Sequence, residues 1–192
     1  MNKKAVLLAL LLLAPAAAHA QFFVEGTFGG TRVDLDEFQA QGFLVDDASG
    51  TWSIGGGYMF NPFLGIEAGF RSFEEFELTS PGAFTGSFGG RPFSSAGAVN
   101  LKADAQGVYV GPVFETVIER FHLNARAGGF AWKSDVTVGS ATHKDDGFDG
   151  YVGLGVSYAM TRNAFFGLSF TRFRVLDEID VDAWDLRLKY SF

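Results

Sequence analysis

Strict alternation of polar and apolar residues is the feature that most limits what this chain can fold into. The last nine residues show it most clearly, because Trp184, Leu186, Leu188, Tyr190 and Phe192 alternate with Asp185, Arg187, Lys189 and Ser191. Successive side chains of a β-strand point to opposite faces, so this segment has one apolar face and one charged face. The two faces must therefore meet two different environments.

Seven further segments alternate in the same way, and no amphipathic helix of useful length follows residue 20. The eight predicted strands lie within 22–34, 51–60, 63–73, 101–115, 121–132, 151–160, 165–173 and 184–192. In the fourth, Lys102, Asp104 and Gln106 share one face, and the alternation is less regular from Gly107 on, which suggests a β-bulge there.

The connections between these segments alternate between short and long. The short ones are 61–62, 116–120 and 161–164, and the long ones are 34–50, 74–100, 134–149 and 175–182. The long connections hold 16 Asp and Glu residues against only Arg91 and Lys144. An even number of strands with short turns at one end and long loops at the other is typical of outer-membrane barrels.

The first 20 residues have the pattern of a secretory signal peptide. Lys3 and Lys4 precede a short apolar run, and Ala18-His19-Ala20 is a small-x-small cleavage site, which makes Gln21 the first mature residue. We therefore expect a signal peptide at 1–20 and one barrel domain at 21–192. With no cysteine in the chain, neither a disulfide framework nor a lipid-attachment thiol is expected.

The composition narrows the class of protein further. The chain has 25 Gly and 22 Phe, and its formal net charge of −7 becomes more negative by two once Lys3 and Lys4 are removed. Many aromatic residues without helical periodicity favour a sheet. An acidic exported protein has the wrong charge to bind phosphate backbones, so we exclude nucleic acid as a partner.

A sheet that crosses a membrane must close, because unpaired backbone groups in hydrocarbon cost several kcal/mol each. Eight strands enclose an interior just wide enough to be filled by side chains. With the apolar faces turned to lipid, the predicted interior polar network contains Glu25, Glu67, Asp104 and Asp185 with Arg71, Lys102, Arg126, Arg187 and Lys189. Four acids against five bases nearly neutralise one another, which predicts a polar plug instead of an aqueous pore.

The expected outward aromatic girdles consist of Trp52, Tyr58, Phe60, Phe70, Tyr158, Trp184, Tyr190 and Phe192. Together with FFVEGTFGG, GIEAGFR, LNARAGG, GLGVSY and the ending DLRLKYSF, this pattern resembles the OmpA-type family of eight-stranded outer-membrane barrels, which includes OmpX- and Ail-like proteins. The resemblance implies an all-β, antiparallel, up-and-down transmembrane barrel in the outer membrane of a Gram-negative bacterium. It also implies that Tyr190 and Phe192 form the signal read by the barrel-assembly machinery.

Candidate chemistry is sparse. A lipid A deacylase would pair a His with a Ser, but His122 is followed two residues later by Asn124, so we expect an interior histidine and no catalytic residues. Acidic clusters in the long loops could bridge Ca²⁺ or Mg²⁺ to lipopolysaccharide, although none has the spacing of a known calcium loop. No cofactor or metal site is therefore predicted.

The favoured function is a structural or surface-interaction protein of the outer membrane, with outer-membrane lipids, lipopolysaccharide and the barrel-assembly machinery as partners. A soluble, exported, lipocalin-like ligand-binding barrel is the first alternative, since alternation alone also fits an apolar interior. A lipid A-modifying barrel enzyme is the second. The unequal loops and the terminal aromatic residue argue against the lipocalin-like reading.

Overall fold

A computed structural model describes residues 21–33, 44–46, 48–80, 82–88, 91–139, 141–175 and 179–192. The predicted signal peptide lies outside these residues. The strands are β1 Gln21–Val33, β2 Leu44–Asp46, β3 Ala48–Asn61, β4 Leu64–Ser80, β5 Phe84–Phe88, β6 Arg91–Ser95, β7 Val99–Ile118, β8 Phe121–Val138, β9 Ala141–Ala159, β10 Ala164–Val175 and β11 Ile179–Ser191. Within the described part of the chain, no helix is long and apolar enough to cross a bilayer.

Eight of these strands form a closed antiparallel barrel. Each of β1, β3, β4, β7, β8, β9, β10 and β11 pairs with the next, and β11 pairs with β1 from Phe23–Ser191 to Val33–Val181. At the end of this seam, the backbone N–H of Phe192 donates to the carbonyl of Phe22 at 2.9 Å. The predicted fold class is therefore confirmed. Strand β2 adds to the outer part of β4, and β5 with β6 forms a separate hairpin.

The apolar faces of the strands point outward. Leu188 and Tyr190 are 51% and 45% exposed, whereas Arg187 and Lys189, which alternate with them, are buried. Outward rings also meet between β1 and β3, where the Phe22 and Tyr58 ring centroids are 4.8 Å apart. A lipocalin has the opposite arrangement, with its apolar face inside, so the lipocalin-like alternative is wrong.

Short turns close one end of the barrel at the predicted positions. The turns are 62–63 between β3 and β4, 119–120 between β7 and β8, and 160–163 between β9 and β10. The Asn61 side-chain oxygen accepts hydrogen bonds from the N–H groups of Phe63 and Leu64, which fixes the first turn. Glu119 has φ 57°, the left-handed conformation that a tight connection requires.

The other end of the barrel is uneven, because much of what the sequence suggested as loop is strand. Strands β4, β7, β8 and β9 contain 17, 20, 18 and 19 residues, whereas β1, β10 and β11 contain 13, 12 and 13. About 9–11 residues suffice to cross a bilayer. The four long strands therefore continue beyond the apolar belt as a tall wall, whereas the described parts of β1, β10 and β11 are shorter.

The expected bulge at Gly107 is wrong. Strand β7 keeps one register against β8 from Leu101–Val138 to Ile118–Phe121. The irregularity lies on the neighbouring strand instead, where the register of β4 against β7 shifts between Phe73 and Phe76. The shift allows β4 to keep its apolar side chains inward beyond the membrane belt.

An apolar cluster fills the interior at the level where the tall wall begins. Phe73, Phe130, Tyr151 and Phe173 are at most 4% exposed, and the Phe73 and Phe173 ring centroids are 5.4 Å apart in an edge-on arrangement. Phe130 contacts both of the other phenylalanine rings. The interior is thus apolar at this level, in contrast to the charged layer below it.

The apolar belt makes a prediction about Leu154, an outward residue of β9 that is 63% exposed. We expect Leu154→Arg to lower the free energy of unfolding by about 2–4 kcal/mol, because the charge would sit in hydrocarbon. Unfolding by guanidinium from lipid vesicles measures this. The matched control is Gln106→Arg, on the outward face of the tall wall, which should change stability by no more than about 0.5 kcal/mol. An equal loss of unfolding free energy in the two variants would contradict the assignment of Leu154 to the apolar belt and of Gln106 to the water-exposed wall.

Candidate functional site

Glu25 is the centre of a charged network inside the barrel. It lies on β1 among inward-facing residues, and its side chain is 1% exposed. One carboxylate oxygen accepts a hydrogen bond from Arg126 Nη1 at 3.2 Å, and the other accepts one from Arg187 Nε at 2.9 Å and a further bond from Arg187 Nη2. Because Arg187 is on the adjacent β11 and Arg126 on the distant β8, Glu25 joins opposite sides of the barrel.

Glu67, on β4, extends this network to the third side of the interior. Its Oε2 lies 3.6 Å from Arg126 Nη1, and its Oε1 accepts a hydrogen bond from the Tyr151 hydroxyl at 3.1 Å. The guanidinium of Arg126 therefore lies between two carboxylates. This arrangement offsets the cost of removing all three charges from water.

A second ion pair lies beside the first. Arg71 binds Asp185 in the bidentate geometry, with Nη2–Oδ2 at 2.8 Å and Nη1–Oδ1 at 3.3 Å. The hydroxyl oxygens of Thr51 and Thr27 accept further hydrogen bonds from the same guanidinium. The Phe173 ring lies 5.1 Å from Arg71 Cζ, so this pair also contacts the apolar cluster.

A third group lies nearer the short turns. Lys189 Nζ is 2.6 Å from Glu115 Oε2, and Nδ1 of His122 is 2.8 Å from the other oxygen of the same carboxylate. The Lys189 ammonium also lies 4.6 Å from the centre of the Phe23 ring. The charges here are held by both ion pairing and contact with an aromatic face.

Tyr109 enters the interior because two glycines face it. A Cβ at Gly69 would lie 2.6 Å from Tyr109 Cζ, and one at Gly55 would meet the Tyr109 hydroxyl. A Cβ at either position would lie too close to Tyr109 for a real side chain, so glycine at both positions makes room for the ring. The ring then packs edge-on against Tyr151, with centroids 5.7 Å apart.

Seven of the nine residues predicted for the interior network lie in it. They are Glu25, Glu67, Arg71, Arg126, Asp185, Arg187 and Lys189, all buried. The prediction is wrong for Lys102 and Asp104, which point outward from β7 above the apolar belt. Lys102 binds Glu75 at 2.6 Å and also Glu77, and its hydrogen bonds to these two carboxylates raise its pKa.

The error on β7 has a physical cause. Inside the membrane belt the outward face meets lipid and must be apolar, but above the belt the outward face meets water and the inward face meets the aromatic cluster. Leu101, Ala103 and Ala105 are accordingly the buried residues of this segment. In the same alternating pattern, the apolar residues therefore face outward within the membrane and inward beyond the membrane boundary.

Glu115 is the main network residue that the sequence reasoning missed. It is 9% exposed and pairs with Lys189. The signal that could have found it is the odd-numbered face of β7, since Tyr109, Gly111, Val113 and Glu115 all point inward. With Glu115 included and Lys102 and Asp104 removed, the network formed by the described residues has four carboxylates and four cations.

Other predicted site residues lie where the sequence suggested. The proposed assembly residues Tyr190 and Phe192 are outward, 45% and 67% exposed, with ring centroids 5.0 Å apart. His122 is half-buried inside the barrel, and its ring packs on Phe165 at 4.5 Å. Ala18 and Ala20 lie outside the described residues. Within the described ranges, no group of three or more His, Asp or Glu side chains is arranged to hold a metal ion.

An apolar outer belt, a charged interior and unequal ends together define an integral barrel of the outer membrane. The family model described as the outer membrane protein beta-barrel domain matches residues 5–192. The chain belongs to this family, and its location is the outer membrane of a Gram-negative bacterium. By the general orientation of such barrels, the short turns face the periplasm and the tall wall faces outward from the cell.

Several solved structures share the fold. Ail of Yersinia pestis is 19% identical with a TM-score of 0.59, and the match covers 91% of this chain and 99% of Ail. Neisserial surface protein A is 12% identical with a TM-score of 0.57 over 90% and 99% of the two chains. OprG from Pseudomonas aeruginosa is 14% identical with a TM-score of 0.54 over 91% and 96%. No curated protein matches the sequence.

The network predicts a large effect of removing its central carboxylate. We expect Glu25→Gln to lower the free energy of unfolding by about 3–5 kcal/mol, because Arg126 and Arg187 would lose a buried counter-charge. Combining Glu25→Gln with Arg187→Gln should recover part of this loss. Guanidinium unfolding in vesicles provides the measurement.

Lys102→Gln is the control for this experiment. Because Lys102 binds Glu75 and Glu77 at the outer surface, we expect its replacement to leave the unfolding free energy nearly unchanged. A large loss in this variant and none in Glu25→Gln would reverse the assignment of the two residues.

Proposed function

We propose that this protein is a non-conducting, non-enzymatic barrel that supports the outer membrane and makes contacts at the cell surface. The observation that carries the proposal is that side chains occupy the interior at three successive levels. The Phe73, Phe130 and Phe173 cluster lies above the Glu25 network, and the Lys189, Glu115 and His122 group lies below it. An ion would have to displace one level after another to cross.

The charge balance supports a plugged interior. A permeant ion in an eight-stranded barrel would need water-filled space, but such a barrel is only wide enough for its own side chains. Arg71, Arg126 and Arg187 are each held by carboxylates of neighbouring or opposite strands. Opening a path would require separating buried ion pairs, which is strongly unfavourable.

The position of His122 supports the non-enzymatic part of the proposal. A lipid A-modifying enzyme needs its catalytic groups where the lipid can reach them. The imidazole of His122 instead points into the barrel, with Glu115 on one side and the Phe165 ring on the other. We assign it to the interior network.

Three contacts follow from the proposal. Tyr190 and Phe192, exposed on the last strand, would be recognised by the barrel-assembly machinery after a signal peptide directs export. Lipopolysaccharide would surround the outer half of the belt. The tall wall would display surface contacts beyond it.

The wall also narrows the class of external ligand. Ail of Yersinia pestis has been crystallised with the heparin analogue sucrose octasulfate, a polyanion. In the present chain the outward face of the wall carries Glu75, Glu77, Asp104, Asp135 and Asp146. Like charges repel, so we propose that the wall itself favours cationic or neutral partners over a polyanion.

Planar-bilayer recording tests the plug. We expect the purified wild-type barrel to show no stable large conductance. Phe130→Ala combined with Phe173→Ala should give brief, small openings, because it removes rings from the upper level. Phe148→Ala is the control, since that ring is outward and 71% exposed. A stable, large wild-type conductance would indicate a porin and overturn the proposal.

Lipid A analysis tests the absence of enzymatic activity. Overexpression of the wild-type chain should leave the lipid A mass spectrum the same as that of the empty-vector strain. His122→Ala should give the same spectrum. A new lipid A species that appears with the wild type and disappears with His122→Ala would establish catalysis.

A further inference from the structure

The pairing of β1 with β11 closes the barrel, and no turn sets its register. These strands lie at the two ends of the described chain, so no hairpin connects them. In a hairpin, the type and length of the turn fix which residues lie opposite one another. The register of this seam must therefore come from contacts that the two strands make on their outward and inward faces.

The outward face of the seam does not distinguish between neighbouring registers. Its members within the belt are apolar side chains and one glycine: Val24, Gly26 and Phe28 on β1, and Leu186, Leu188 and Tyr190 on β11. A slip of one residue would turn the apolar face of one strand into the interior, which excludes it. A slip of two residues keeps both faces and leaves apolar residues opposite apolar residues.

On the inward face, two cations of β11 contact β1 across the seam. Lys189 Nζ lies 4.6 Å from the centre of the Phe23 ring, and Arg187 Nε donates to Glu25 Oε2 at 2.9 Å. The direct neighbours of Phe23 and Glu25 on β11 are Ser191 and Lys189. Each contact therefore has the same offset of two positions from the direct neighbour.

Arg71 makes a further contact across the seam, although it lies on β4. Its Nη2 donates to Thr27 Oγ1 at 3.1 Å and to Asp185 Oδ2 at 2.8 Å, so one nitrogen joins β1 to β11. Asp185 is again two positions from Arg187, the direct neighbour of Thr27. The inward side chains of the two strands are thus held at successive levels with one common offset.

The order of charges along β11 opposes a slip of two residues in either direction. Such a slip would move β11 about 7 Å along β1, because each strand residue adds about 3.4 Å. In one direction Arg187 would take the place of Asp185 beside Arg71. In the other direction Asp185 would take the place of Arg187 beside Glu25. Each slip would bring two like charges together and separate a buried charge from its partner, which is strongly unfavourable.

We propose that Asp185, Arg187 and Lys189 select the register in which the barrel closes. Their partners Arg71 and Glu25 hold the position of β1 against which β11 is aligned. The stagger of the strands and the size of a barrel are linked, so these ion pairs also fix its width. The last strand then has two faces with separate roles in assembly, an apolar outward face for recognition and a charged inward face for alignment.

Disulfide cross-linking of the full barrel in lipid vesicles tests the proposal, because the natural chain contains no cysteine. Phe28→Cys with Leu186→Cys reports the native register, since these two residues are direct neighbours. Phe28→Cys with Leu188→Cys or with Trp184→Cys reports the two slips. Without further changes we expect oxidation to join only the first pair, because diagonal neighbours lie about 7–8 Å apart, beyond the usual reach of a disulfide.

Moving the charges of β11 by two positions should move the seam. The shifted variant combines Ala183→Asp, Asp185→Arg and Lys189→Ser and leaves Arg187 unchanged, so the same order of charges begins two residues earlier. In the native register, Asp185→Arg would face Arg71. We therefore expect the ratio of the Trp184→Cys cross-link to the Leu186→Cys cross-link to rise roughly tenfold or more.

A conservative exchange is the matched control. Arg187→Lys combined with Lys189→Arg changes two interior residues but keeps the order of charges, so the Leu186→Cys cross-link should remain. A neutral variant removes the charges of all three levels, and we expect it to form all three cross-links. Its substitutions are Glu25→Gln, Arg71→Gln, Glu115→Gln, Asp185→Asn, Arg187→Gln and Lys189→Gln.

Heat-modifiable gel mobility verifies the folding of each variant. A folded shifted variant that keeps the Leu186→Cys cross-link would overturn the proposal, and so would a neutral variant that forms this cross-link alone. A shifted variant that fails to fold would also overturn it. The charges of that variant are paired in the slipped register, so only the geometry of closure could then forbid the slip.

Discussion

The absence of hydrogen-bonding partners in hydrocarbon is the constraint on which this structure depends. Every backbone N–H and C=O at membrane depth must be paired within the protein, and a sheet achieves this only by closing. The pairing of β1 with β11, from Phe23–Ser191 to Val33–Val181, is therefore the decisive contact of the fold. It joins the two ends of the described chain. It also brings Glu25 next to Arg187, so that closure of the sheet and neutralisation of the interior are produced by the same pair of strands.

Closure of the sheet also buries charged side chains, and these are neutralised by ion pairing. Within the belt the outward face contacts lipid, so the polar side chains of the alternating strands face inward. The resulting four carboxylates and four cations form links between distant strands, as Arg126 does between Glu25 and Glu67. Such a network is stable only when each member has its partner. The same property that fixes the barrel's shape thus opposes the opening of a pore, and it connects the fold to the proposed non-conducting function.

The outward face of the barrel is apolar within the membrane and polar beyond the membrane boundary. Below it, β7 turns Val108 and Val110 to lipid; above it, the same outward face carries Gln106, Asp104 and Lys102 to water. The four long strands continue the sheet farther beyond the boundary than the three short ones do. Among the described residues, the outward face of this tall wall carries Glu75, Glu77, Asp104, Asp135 and Asp146 beyond the boundary.

The sequence by itself determined the number of barrel strands, the positions of the short turns, the inward face within the belt and seven network residues, because period-2 alternation depends only on neighbouring residues along one strand. It also predicted a signal peptide. It could not show that β7 continues through the membrane boundary, so Lys102 and Asp104 were placed inside and Glu115 was missed. Which carboxylate pairs with which cation was equally beyond reach. Glu25 and Arg187 are 162 positions apart in sequence, and only the closed sheet makes them neighbours, because cross-strand register is a property of the assembled barrel.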